Sequence, residues 1–426
     1  MSTSRAGLSS RALALGLTGA FALLGCGGGG GGGDDDDTGG PDASVVVPPD
    51  APAGFTVRDR ARALAQHLRG DGHFMIGVGN DNSGPYDHAV PIDLHYAYLV
   101  GYGDDGGWPT WNADGMYATY FAQAAAQHGV TPMYTYYQLA LELENGNDAA
   151  LADGGRMHQY LTDMRLLFTR IAETGAPAVV TLEPDFFGYL MQRADAGTPP
   201  DQLVARTQFA DVPECAGLPE TAAGLMRCVL AIGHTLAPEA RIGFHASQWG
   251  AWFDATDPGA DVEASGRAVG GFLRSVGADA TDFVAVETLD RDAGFWETGG
   301  GGGTCSATGG PRGPVYWDAD NVALPNFAQH LRWVGALTEE LQRPAIWWQT
   351  PLGVPAATCG GAGGGSDEHW RDNRVRYFFD HVDELVDAGG AGATFGTGAG
   401  GQTNLATDGD QLKDAATAYQ AAPFAL

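Results

Sequence analysis

Val179-Val180-Thr181-Leu182-Glu183-Pro184-Asp185-Phe186-Phe187-Gly188-Tyr189 is a β-branched and apolar run that ends abruptly on two acids. Pro184 cannot donate to a strand ladder, so the strand stops there. Similar short runs recur at Phe74 to Val78, Tyr96 to Val100, Thr131 to Tyr137, Arg241 to His245, Phe283 to Glu287, Ala345 to Gln349 and Ala393 to Phe395. Helical spacing occupies 58–68, 114–128, 156–174, 219–236, 262–276, 325–342 and 371–388, with a closing helix near 410–420. With the run that ends at Leu182 starting from Ala178, eight strands alternate with helices or long loops, which predicts one (β/α)8 barrel over residues 55–426. An open doubly wound sheet would need a phosphate-binding turn, and Gly77-Val78-Gly79-Asn80 does not complete G-x-G-x-x-G.

Ahead of this domain, Arg5 and Arg11 precede an apolar stretch from Ala12 to Leu24 that is too short to span a bilayer. It ends in Leu23-Leu24-Gly25-Cys26, which resembles the lipobox of bacterial lipoproteins. The resemblance implies a signal over residues 1–25 and a lipidated Cys26, so the protein is expected to be exported and anchored without crossing the membrane. Gly27 is not the acidic residue tied to inner-membrane retention in such lipoproteins, which points to the outer membrane or cell surface. Residues 26–54 continue with Gly27 to Gly33, Asp34 to Asp37 and a Pro- and Ala-rich stretch, a composition expected to form a disordered tether.

The formal net charge is −29, and loss of residues 1–25 would remove two arginines and no acid. So negative a chain repels nucleic acid and anionic headgroups, which leaves a neutral or cationic partner or a metal. The expected state is a monomer whose only membrane contact is its lipid. Four cysteines remain beyond Cys26, and export favours bonds of Cys215 to Cys228 and of Cys305 to Cys359.

A barrel works at the C-terminal ends of its strands. Glu183 and Asp185 leave the fourth run two residues apart, and a close pair of acids splits its pKa values into an acid and a base. Glu287 leaves the sixth run in the same way, with Asp290 and Asp292 as substitutes. Other polar groups expected at strand ends are Asn80, Asp81, Asp93, His95, Tyr136, Gln138, His245, Ser247 and Gln349, of which Asp93, His95, Tyr136, His245 and Gln349 are expected to orient substrate. Nine of the ten tryptophans follow or lie on the predicted strands, and Trp249, Trp347 and Trp348 are the expected platforms for flat apolar faces. No G-x-S-x-G elbow, H-E-x-x-H, Walker loop or Cys–His zinc spacing is present, so neither metal nor cofactor is expected. Asp318-Ala319-Asp320-Asn321 and Asp408-Gly409-Asp410 lack the full ligand set of a calcium loop.

The strand-terminal Glu183-Pro184-Asp185 and the tryptophan-rich TIM barrel resemble secreted glycoside hydrolases, both clan A enzymes and the inverting cellulases of family six. In clan A an Asn-Glu-Pro supplies the acid/base at strand four and a Glu the nucleophile at strand seven. Here Leu182 replaces the Asn and Gln349 puts an amide at strand seven, which argues against a retaining double displacement. If Glu183 and Glu287 face each other from strands four and six, the wider carboxylate separation of about 6.5–9.5 Å that inversion uses is expected, with Glu183 as general acid and Glu287 or Asp185 as base for water. The expected function is hydrolysis of a neutral poly- or oligosaccharide at the cell envelope. Two alternatives stay open: a barrel that binds glycan without cutting it, and a metal-dependent barrel hydrolase.

Overall fold

The computed structural model describes residues 55–79, 84–252, 261–288, 317–353, 373–397 and 402–426. Its eight strands are β1 (Met75–Gly79), β2 (Leu94–Val100), β3 (Thr131–Tyr137), β4 (Ala178–Leu182), β5 (Ala240–His245), β6 (Phe283–Val286), β7 (Ala345–Thr350) and β8 (Gly390–Phe395). All are parallel, each pairs with the next, and β8 pairs back to β1. This is the expected (β/α)8 barrel.

Around it run α1 (Val57–Arg69), α2 (Met116–Gln127), α3 (Leu139–Glu144), α4 (Gly154–Thr174), α5 (Phe186–Asp195), α6 (Ala222–Leu236), α7 (Val262–Ser275), α8 (Phe327–Leu341), α9 (Arg374–Asp380), α10 (Val382–Asp387) and α11 (Gln411–Gln420). The expected helix over 371–388 breaks at His381, whose backbone leaves the helical region at φ −130°. β8 begins three residues before its expected start. Gly390 and Gly392 carry no apolar signal, yet Gly392 pairs with Met75 through the backbone alone.

Successive side chains of a strand point to opposite faces, and β7 shows the alternation directly. The Trp347 indole N–H donates to His330 Nε2 of α8 at 2.9 Å, so this ring faces the helical shell. The Trp348 indole N–H donates to Thr135 Oγ1 of β3 at 2.9 Å, so this ring lies inside the barrel. Two glycines make room for the other large interior rings: a Cβ on Gly79 would strike the Tyr96 ring, and one on Gly243 would strike Phe283.

The expected bond between Cys215 and Cys228 joins the turn before α6 to its middle. Cross-linking residues 13 apart removes about 3 kcal/mol of unfolded-chain entropy. Reduction by dithiothreitol should therefore lower the urea-unfolding free energy by that amount, and an unchanged midpoint would contradict it. Cys305 and Cys359, like Cys26 and residues 1–54, lie outside the described residues. Among the described residues no helix is long and apolar enough to cross a membrane.

Candidate active site at the C-terminal mouth

Asp185 follows β4 and Glu287 follows β6, and both carboxylates are partly exposed. The Trp249 indole N–H donates to Asp185 Oδ1 at 3.3 Å. Tyr98 of β2 feels the field of both acids, and its hydroxyl donates to Gln349 Oε1 at the end of β7. Burial holds the Tyr98 phenol well above its ordinary range, and the fields of Tyr96, Asp185, Glu287 and Tyr137 push it further the same way. It stays a neutral donor. Edge-on ring contacts join Tyr98 to Tyr137 at 6.4 Å and to Trp348 at 5.5 Å, which makes one aromatic wall from β2 through β3 to β7.

His245 packs edge-on against Trp348 at 5.1 Å, fully buried, and neither ring nitrogen has a hydrogen-bond partner among the described residues. Burial drives its pKa down to about 3, so it is a neutral imidazole at the base of this wall. Trp252 lies beyond Trp249 with its ring 67% exposed and its N–H on Asp195. Among the described residues no three His, Cys, Asp or Glu side chains gather as a metal site.

Glu183 is placed differently from the expectation. Its side chain is fully buried, and the N–H groups of Gln138 and Leu139 donate to Oε2 at 3.0 and 2.8 Å. The hydroxyl of Tyr160, on α4, donates to Oε1 at 2.9 Å. A positive φ of 54° at Glu183 accompanies this departure from strand geometry, and the carboxyl meets the shell and the start of α3. With no exposed surface, it cannot touch a ligand as general acid.

Burial lifts the Glu183 pKa from 4.5 to about 7, against the lowering effect of the Gln138, Leu139, Tyr160 and Ala140 donors. The folded chain thus keeps a proton that the unfolded chain loses between these two values. Stability falls as pH rises through that window, by about 3 kcal/mol, and levels off above it. Urea midpoints compared between wild type and Glu183→Gln should show this slope in the wild type alone, and parallel curves would refute it.

Four other expected substrate contacts belong elsewhere. Asp93 precedes β2 at the opposite, N-terminal rim, where it accepts from Ile76 N–H at 2.8 Å and pairs with Arg69 at 3.3 Å. Asp282 staples β5 to β6 in the same way through Ile242 N–H at 2.8 Å, so this carboxylate type serves strand alignment. His95, near the start of β2, bonds Tyr86 and packs on Phe121 of α2. Tyr136 is buried in the shell against Trp108 and Tyr160. Trp347 faces α8, as described above.

Asn80, Asp81, Asp290, Asp292, Trp296 and Trp370 lie outside the described residues. Tyr98 and Tyr137, which the sequence analysis does not single out, share the inward face of period-two runs with Tyr96 and Thr135. That spacing was the available signal.

The sequence matches no protein-family model and no curated protein. Solved structures with similar barrels include glycoside hydrolases. An Ignisphaera aggregans GH53 catalytic domain has a TM-score of 0.42 at 12% identity, over 83% of this chain and 93% of its own. A thermostable mutant of a xylanase from Cellvibrio japonicus has a TM-score of 0.39 at 13% identity, over 76% and 86%. The endoglucanase Cel6 from Mycobacterium tuberculosis has a TM-score of 0.32 at 15% identity, over 66% and 67%.

Proposed function

We propose that this protein hydrolyses a neutral poly- or oligosaccharide, with Asp185 and Glu287 as its acid and base. The observation that carries the reading is their common position: two partly exposed acids follow β4 and β6 at the C-terminal mouth of one barrel, Asp185 on the Trp249 indole and both near enough to Tyr98 to raise its pKa. Trp249, Tyr98 and Tyr137, all partly exposed, offer ring faces and polar edges suited to a pyranose, whose apolar faces stack while its hydroxyls bond amides and carboxylates. Gln349 holds the Tyr98 hydroxyl within that wall, and the buried His245 imidazole backs it through Trp348. Protonation of the leaving oxygen by one carboxylic acid and activation of water by the other carboxylate is the division of labour such a pair permits.

The test is reducing-end release from a panel of neutral glucans, xylans, mannans and galactans by the full chain. Release supports the reading. Binding without release favours a glycan-binding barrel instead, and activity abolished by a chelator favours a metal-dependent hydrolase. Envelope anchoring through Cys26 belongs to the same proposal, and Cys26→Ser should move the protein from the membrane to the soluble fraction.

A further inference from the structure

We infer that Glu183 is the positioning residue of this mouth, its buried carboxyl tying the end of β4 to the β3–α3 turn and thereby setting Asp185 in place. The inference rests on the carboxylate pair proposed above.

Glu183 N–H still donates to Tyr136 O at 2.8 Å, so the ladder between β3 and β4 persists up to this residue. The chain then takes positive φ at Glu183 (54°) and again at Asp185 (67°), on either side of Pro184. Such conformations are uncommon for residues with a Cβ and persist where surrounding contacts over-determine them. The three hydrogen bonds from Gln138, Leu139 and Tyr160 to the Glu183 carboxyl do that. They also extend sideways: the Gln138 amide Nε2 donates to Gly101 O at 2.9 Å, just past the end of β2. One buried carboxyl thus gathers the ends of β2, β3 and β4. For the phenol of Tyr137, the neighbour of Gln138, the Asp185 charge is the largest influence after burial.

The protonation state of this carboxyl changes what it can hold. Ionised, it accepts from every donor around it. Protonated, it must itself donate, and of the groups bonded to it only the Tyr160 hydroxyl can accept. The titratable groups facing it are Tyr102 from the loop after β2, Tyr136 and Tyr137 from β3 and Tyr160 from α4, all held neutral by burial. A changeover in this pocket near neutral pH therefore belongs to Glu183.

Glu183→Gln mimics the protonated arrangement, with its oxygen on the backbone N–H groups and its NH2 on Tyr160. It should fold, lower kcat by about tenfold to a hundredfold above neutral pH, keep KM within about twofold, and lose the acid limb of the kcat profile. Tyr160→Phe leaves the carboxyl without a side-chain partner in either protonation state and should lower kcat above neutral pH while keeping KM within about twofold. A Gln variant with wild-type kcat and limb, or a Phe variant with wild-type kcat, overturns the inference. If wild-type protein cleaves no glycan, the hydrolase reading falls and crystal structures decide the positioning role. In these, the Trp249 to Asp185 bond should be present in wild type at about pH 8 and absent in Glu183→Gln, and the same bond in both overturns it.

Discussion

Asp185→Asn lowers kcat on a cleaved glycan by about 10²- to 10⁴-fold and leaves KM nearly unchanged, because general acid–base catalysis acts in the transition state. Asn keeps the shape of the side chain and an oxygen for the Trp249 indole N–H, so the substitution removes proton transfer with little change in packing. Glu287→Gln produces a loss of the same size. The two variants separate on aryl glycosides with good leaving groups: the one lacking the acid recovers turnover, since departure no longer needs a proton, and the one lacking the base does not. Steady-state kinetics on both substrate types are the measurement. Both variants turning over polysaccharide at the wild-type rate would remove these carboxylates from the reaction.

The adjacent tryptophans of β7 should part company when truncated. Trp347→Ala costs about 4 kcal/mol of stability, the usual price of a large buried ring, and strips His330 Nε2 of its donor. Glycan affinity stays unchanged, because that ring meets α8 and Phe378 in the shell. Trp348→Phe keeps most of the packed volume but loses the bond to Thr135 and reshapes the wall shared with Tyr98 and His245. It raises KM or the dissociation constant for glycan with a small stability change. Urea unfolding and titration calorimetry on the two proteins test the split, and a Trp347→Ala variant with weakened binding would reverse the assignment of faces.

The barrel was legible in the chain because strand runs and helical spacing are local, and closure needs only that enough of them alternate. The boundaries that moved did so where backbone pairing overrode composition, as at Gly390 and Gly392 of β8. Asp93 and His95 were expected at the mouth although both precede the run that starts at Tyr96. With β2 starting at Leu94 they fall at the other rim, where a carboxylate staples strands.

What the sequence determined by itself was the ring of strands, the Cys215 to Cys228 bond and the run of acids after β4. Which acid faces the mouth was decided only in three dimensions. Two residues apart on a regular strand, Glu183 and Asp185 would share a face; positive φ at both breaks that rule, and the donors of Gln138, Leu139 and Tyr160 draw one of them into the shell. Those donors come from segments 23 to 45 residues away in the chain, so no local pattern carries their effect.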